Sequence, residues 1–162
     1  MPITASSCEH GERRSTENAP DAAPSLVQLK WFDSFETGDP DIDRIHRKLI
    51  QDCNSLLART ANEASWPRII AEAKRLVEDC VAHFRLEESV LERARFPRLA
   101  EHAMEHQRLE REMRMVIDRL EKVDGSLVDH FEHAKWLGPI LIDVIIRNDL
   151  DFRSHILNQQ GR

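Results

Sequence analysis

The segment from Leu99 to Leu120 places an apolar or histidine side chain at every third or fourth position, in the alternation 3,4,3,4,3,4. This spacing is that of one helix face, because side chains three and four residues apart lie together on an α-helix. About six turns of such a face need partner helices to cover it. The positions on the face are Leu99, His102, His106, Leu109, Met113, Val116 and Leu120. The segment therefore predicts one long helix of a bundle, with two histidines on its inner face.

The same kind of spacing predicts four helices in all, over residues 41–60, 67–95, 98–123 and 126–157. The fourth follows the Asp124-Gly125 break, with Ser126 as a plausible N-cap. Gly138-Pro139 should kink this helix or displace its start. Short linkers favour antiparallel neighbours, and strand signals are absent. We therefore expect an all-α protein with an up-down-up-down four-helix bundle.

The chain before the first helix divides into two parts. Residues 1–27 are polar and aperiodic, which is typical of a flexible tail. The short apolar segment from Leu29 to Phe35 could pack as an arm across the bundle. We expect a tail over 1–27 and a single bundle domain over 28–162, a size sufficient for a real core.

Composition excludes several classes of function. A net charge of −6 with no basic stripe argues against nucleic acid binding. No apolar run is long enough to span a membrane, and no secretory signal is visible at the N-terminus. Cys53 and Cys80 lie on inner helix faces and should be buried free thiols, which fits a reducing, cytoplasmic location. A monomer is favoured over an oligomer.

Polar residues occupy inner positions on three of the predicted helices. His83 and Glu87 form one i,i+4 pair, His102 and His106 form another, and His46 lies on the first helix. A lone core histidine such as His46 is usually just hydrogen bonded, but burying the whole set costs several kcal/mol unless something binds it. Imidazoles and carboxylates suit iron, zinc or manganese, and a carboxylate can bridge two ions. The set therefore predicts a metal centre in the bundle core.

Other histidines and acids are weaker candidates. His130 and His133 lie early in the fourth helix and are expected at the surface. His155 should face away from the inner stripe, because six residues turn a helix by about 240°. Glu88 is rotated by about 100° from Glu87 and is expected to be solvated.

Three segments of the chain resemble hemerythrin-like proteins of the bacteriohemerythrin type. They are WFDSFETGDPDIDRIHRKLI (31–50), HFRLEESVLERARFPRLAEHAMEHQRLE (83–110) and NDLDFRSHI (148–156). The resemblance implies a non-haem di-iron centre in a four-helix bundle. It further implies which side chains bind. His46 and His83 would bind one iron, His102 and His106 would bind the other, and Glu87 and Asp149 would bridge the two.

The chain departs from the family pattern at one ligand. The pattern has a fifth histidine five residues before the bridging aspartate, and Val144 stands there in this sequence. An alignment anchored on Trp136-Leu137 instead places Ile140 and Ile145 at the ligand positions, and it loses the aspartate as well. We prefer the register anchored on Asp149. Asp143 could swing in as a substitute ligand.

The resemblance implies a function of binding dioxygen or a related small diatomic or peroxide ligand, for supply, storage or sensing. The expected cofactor is two iron ions, with zinc, manganese or a single iron as alternatives. A missing histidine would leave a second open position on the metal pair, which suits oxygen activation better than reversible binding. The alternative functions are therefore a di-iron oxidase, peroxidase or nitric-oxide-consuming enzyme, and a metal-storage or interaction module.

Overall fold

All regular secondary structure in the described part of the chain is helical. The computed structural model describes residues 28–60, 65–123, 127–145 and 149–160, without the side chains at 127, 128, 130, 149–151, 159 and 160. A 3-10 helix, Asp33–Phe35, precedes α1 (Pro40–Thr60), α2 (Trp66–Arg93), α3 (Leu99–Lys122), α4 (Leu127–Ala134), α5 (Leu137–Asp143) and α6 (Asp149–Gln160). The all-α prediction is confirmed for these ranges. The predicted tail and the Asp124-Gly125-Ser126 break lie outside them. None of the described helices has the length and apolar content needed to cross a bilayer.

The first helix begins where the sequence supplies a cap. Asp39 Oδ1 accepts hydrogen bonds from the backbone N–H groups of Asp41 (3.0 Å) and Ile42 (3.1 Å). These donors have no partner within the helix itself, so the cap stabilises its first turn. Gly38, just before the cap, has a φ of +94°, and a Cβ there would lie 2.7 Å from Leu157 Cδ2. The glycine thus permits both the turn into α1 and close packing against α6.

The predicted fourth helix is divided next to Gly138-Pro139, where the sequence leads us to expect a kink or a displaced start, so the described residues of 126–157 form more than one helix. The chain leaves α4 after Ala134 and enters α5 at Leu137. The break precedes Gly138-Pro139, which places Pro139 in the first turn of α5, where its missing N–H costs no hydrogen bond. Val144 and Ile145, which follow α5, have π-helical geometry.

The predicted arm does pack on the bundle. The backbone N–H of Leu29 donates to Asn54 Oδ1 and the Leu29 carbonyl accepts from Asn54 Nδ2, both at 2.8 Å. The partly buried side chains of Leu29, Trp31 and Phe35 pack against the main apolar cluster. The guanidinium of Arg47 lies 4.5 Å from the centre of the Trp31 ring. The arm is therefore tied to α1 along two of its turns.

The described residues of the helices form two separate apolar clusters. α2 packs against α1 and α3, and α4 and α5 each pack against α1 and α3. The larger cluster includes Cys53 and Cys80, which are buried free thiols as predicted. Burial raises the pKa of the Cys53 thiol to about 12. The smaller cluster consists of Ile42, Leu91, Phe96, Phe152 and Ile156.

Candidate metal centre

A layer of five polar side chains lies between the two apolar clusters. On α1, Ile42 belongs to the smaller cluster and Leu49 to the larger, with His46 between them. On α3, Leu99 packs on the smaller cluster and Leu109 lies in the larger, with two histidines between them. On α2, His83 and Glu87 likewise lie between residues of the larger and the smaller cluster. The layer consists of His46, His83, Glu87, His102 and His106, all of them buried.

Glu87 lies at the centre of the layer. Its Oε2 lies 3.4 Å from His83 Nε2 and 3.3 Å from His106 Nε2, and its Oε1 lies 3.6 Å from His102 Nε2. The donor atoms of Glu87, His102 and His106 all lie within 4.8 Å of one another. On the other side, His46 Nε2 lies 2.9 Å from His83 Nε2. The structure thus brings together five of the six side chains that the sequence predicts as ligands.

The sixth predicted ligand, Asp149, is the first residue of α6, and its side chain lies outside the described part of the structure. Phe152, three residues further on, is fully buried and packs edge-on against His102, with ring centres 5.6 Å apart. Val144, before α6, is buried in the larger cluster. α6 therefore begins close to the level of the polar layer.

The donor atoms of the layer fit a cation. Both carboxylate oxygens of Glu87 and the Nε2 atoms of His102 and His106 have no hydrogen-bond partner among the described residues. Leaving one such buried group unpaired costs about 1–3 kcal/mol. Nitrogen and oxygen donors of this kind suit iron, zinc or manganese, and a cation among them would satisfy several at once. The residues present therefore fit the metal that the sequence predicts.

The electrostatics keep most of these donors ready to bind. Burial, with a smaller contribution from His83, lowers the pKa of His46 to about 3, and burial also lowers the pKa of His83. Burial alone would raise the pKa of Glu87, but His102 and His106 more than offset it and hold that pKa well below its usual range. Neutral imidazoles and a charged carboxylate are the forms that bind metals.

His106 differs from the other histidines because two carboxylates flank its ring. Burial would lower its pKa, but Glu87 and Glu88 reverse that effect and raise it. Glu88 Oε1 lies 2.8 Å from His106 Nδ1, and the Glu88 side chain is 33% exposed. The expectation that Glu88 is simply solvated is therefore wrong. Its contact depends on how α3 is placed against α2, which the helical periodicity of α2 does not reveal.

The remaining candidates lie apart from the layer. His155 Nε2 lies 2.8 Å from the carbonyl oxygen of Ala94, so this histidine does face away from the layer, as predicted. Asp143, the possible substitute ligand, lies 3.1 Å from Nη2 of Arg108. His133 is partly buried rather than at the open surface, and the side chain of His130 is not among those described.

A comparison against family models agrees with the fold, the buried histidines and the central glutamate. The model for the hemerythrin HHE cation-binding domain matches residues 37–147. This chain belongs to that family. The matched hemerythrin domain contains five of the predicted ligands and ends two residues before Asp149. A comparison with curated protein sequences gives no match.

Proposed function

We propose that this protein is a non-haem di-iron protein that binds dioxygen or a related small ligand. The observation that supports it most is the buried polar layer, in which Glu87 lies among histidines of α2 and α3 and its two oxygens lack partners among the described residues. Membership of the hemerythrin family supports a cation at this place.

In this proposal side chains of α1, α2, α3 and α6 together form two metal positions. His46 and His83 would hold one iron, and His102 and His106 would hold the other. Glu87 and Asp149 would bridge the pair, and α4, α5 and α6 would together serve as the fourth element of an up-down-up-down bundle. Asp149 is included because it stands in the chain between Val144, which is in the larger cluster, and Phe152, which is in the smaller, and the polar layer lies between these clusters. A bound iron pair supplies a redox-active Lewis acid for small ligands.

The chain's own residues make the site dry and selective. The apolar clusters above and below the layer exclude water, which strengthens the interaction of Glu87 with any cation. Trp31 of the arm lies beside His46, with ring centres 6.4 Å apart, and its position shields that side of the layer. Only ligands small enough to enter between packed side chains should reach the centre.

The apolar character of Val144 favours a second candidate function, that of a di-iron oxidase, peroxidase or nitric-oxide-consuming enzyme. Val144 is fully buried and offers no ligand atom. The α3 side of the centre would then depend on His102, His106 and the two bridging carboxylates alone. Such an open site favours reaction with the bound ligand over its reversible release.

Metal content tests the proposal first. Protein purified without added metal, and protein reconstituted with Fe²⁺, should each contain iron by elemental analysis, approaching two ions per chain after reconstitution. Glu87→Gln should lose the metal pair, whereas Glu92→Gln, an exposed change on the same helix, should keep it. Less than one ion per chain after reconstitution would contradict both candidate functions.

Exposure of the reduced protein to air then separates the two candidate functions, since a carrier should keep a lasting oxy spectrum and an oxidase should not.

A further inference from the structure

Two interleaved i,i+4 pairs follow one another on α2. His83 and Glu87 point into the polar layer, and Phe84 and Glu88 each lie one position further along the helix. One position turns a helix by about 100°, so the second pair faces a different neighbour from the first. That neighbour is α3, where Phe84 and Glu88 both contact the same side chain, His106.

The two contacts restrain the His106 ring in different ways. The Phe84 ring is stacked on the imidazole, with centres 4.1 Å apart and planes 11° from parallel. Glu88 Oε1 lies 2.8 Å from Nδ1. Because a carboxylate only accepts hydrogen bonds, Nδ1–H is the donor. The stacking restrains the plane of the ring, and the hydrogen bond determines which edge of the ring faces Glu88.

The consequence is seen at the opposite edge of the ring. With Nδ1 held by Glu88, Nε2 lies 3.3 Å from Glu87 Oε2, inside the polar layer. An unrestrained imidazole could turn about its two side-chain bonds and present carbon atoms there instead. The neighbouring His102 is held differently, by edge contacts with Phe96 and Phe152. His106 is thus held by a stacked ring on its face and a hydrogen bond at its edge.

We propose that Phe84 and Glu88 are positioning residues that hold His106 with Nε2 directed at the metal centre before a cation arrives. The inference rests on the proposed function, because it assigns a role in that same centre. A carboxylate that accepts from the free N–H of a metal-binding histidine fixes the ring and increases its basicity. Glu88 lies partly in solvent, so its replacement should leave the fold intact.

The test compares three variants of the full chain. The dissociation constant for Zn²⁺, a diamagnetic probe, is measured by competition with a chelator. Glu88→Ala should raise the dissociation constant of the Zn²⁺ ion held by the α3 histidines by about 10- to 100-fold. Glu88→Gln keeps an acceptor oxygen and should recover at least half of that loss on a logarithmic scale. Glu92→Ala removes an exposed charge one turn further along α2 and should change affinity by less than about threefold.

A second readout follows the ring without any metal. NMR spectra of the metal-free protein should show His106 ring protons shifted upfield by the stacked Phe84 ring, with contacts to Phe84 that weaken in Glu88→Ala and persist in Glu92→Ala. The positioning role is overturned if Glu88→Ala binds Zn²⁺ as tightly as the parent, or if Glu88→Gln is as weak as Glu88→Ala, since charge alone would then explain the effect. If the parent binds neither Zn²⁺ nor Fe²⁺, the metal centre fails, and the ring signals alone decide whether Glu88 positions His106.

Discussion

The Nε2 atoms of His46 on α1 and His83 on α2 lie 2.9 Å apart inside a layer that water does not reach. Burial lowers the pKa of both rings, so both are neutral near pH 7. Two neutral imidazoles facing through these atoms share at most one hydrogen bond. If each ring instead carries its proton on Nδ1, both Nε2 lone pairs face the same point, where a cation would bind them.

The metal-free protein should become less stable as the pH falls. The pKa of His46 is about 3 in the folded chain against an ordinary value of 6.5, so between these values the unfolded chain binds a proton that the folded chain does not. The free energy of unfolding should then fall by up to about 1.4 kcal/mol for each unit of pH lost. His46→Leu should flatten this slope. Urea unfolding of metal-free protein between about pH 7.5 and pH 5 measures it. Equal slopes in the two proteins would contradict the assignment.

The packing of the arm on the bundle should depend on one side chain of α1, that of Asn54. Asn54 makes two hydrogen bonds of 2.8 Å to the backbone of Leu29, so Asn54→Ala leaves both Leu29 groups without that partner. The loss should cost about 1–3 kcal/mol of unfolding free energy. Ser55→Ala, an exposed change at the next position, should cost less than about 0.5 kcal/mol. Denaturant titration compares the two, and similar small losses would show that the arm contributes little.

The end of α2 should accept glycine with a gain in stability. Arg95 has a φ of 52°, in the left-handed region, and the N–H of the next residue, Phe96, bonds to the Leu91 carbonyl at 2.9 Å. Helices often end in this way with glycine at the left-handed position. Arg95→Gly should therefore raise the unfolding free energy by about 0.5–1 kcal/mol. Arg93→Gly, two residues earlier and within the helix, should lower it by about as much. A decrease for both variants would show that the Arg95 side chain matters more than its backbone.

The long helices and most of the polar layer were predictable from the sequence for one physical reason. The inner faces of α1, α2 and α3 each extend over several turns, so the spacing of apolar residues located each helix to within about two residues. His83 and Glu87 stand out because an i,i+4 pair of polar residues on such a face has no other easy explanation. Neighbouring apolar residues then indicated that the pair is buried.

Two features could not be read in this way. The interruption of the fourth helix is indicated by Gly138-Pro139 and not by the spacing, because an apolar stripe continues across such a break without a change of period. The contact of Glu88 with His106 depends on the rotation of α3 against α2. Periodicity describes one helix at a time, so it assigned Glu88 to solvent. The sequence did offer one signal that the Glu88 face of α2 is covered, namely the aromatic Phe84 four residues earlier on the same face. In the structure Phe84 is 3% exposed.

Restoring a ligand at position 144 should show whether the centre is unusually open. Val144 is fully buried directly after α5, five residues before the start of α6, at the position that the sequence resemblance assigns to a fifth histidine. Val144→His should strengthen binding of the second iron and slow oxidation of the reduced, metal-loaded protein in air, because the added imidazole occupies the position that an exogenous ligand would use. Val144→Leu enlarges the same side chain without adding a ligand atom, and it controls for overpacking, which itself costs about 1–3 kcal/mol. Iron titration and the decay of the reduced-state spectrum provide the two measurements. If the histidine variant matches the leucine variant in both, position 144 does not face the metal and the alignment anchored on Asp149 is wrong. If only the histidine variant changes, the apolar residue at this position is what leaves the centre open.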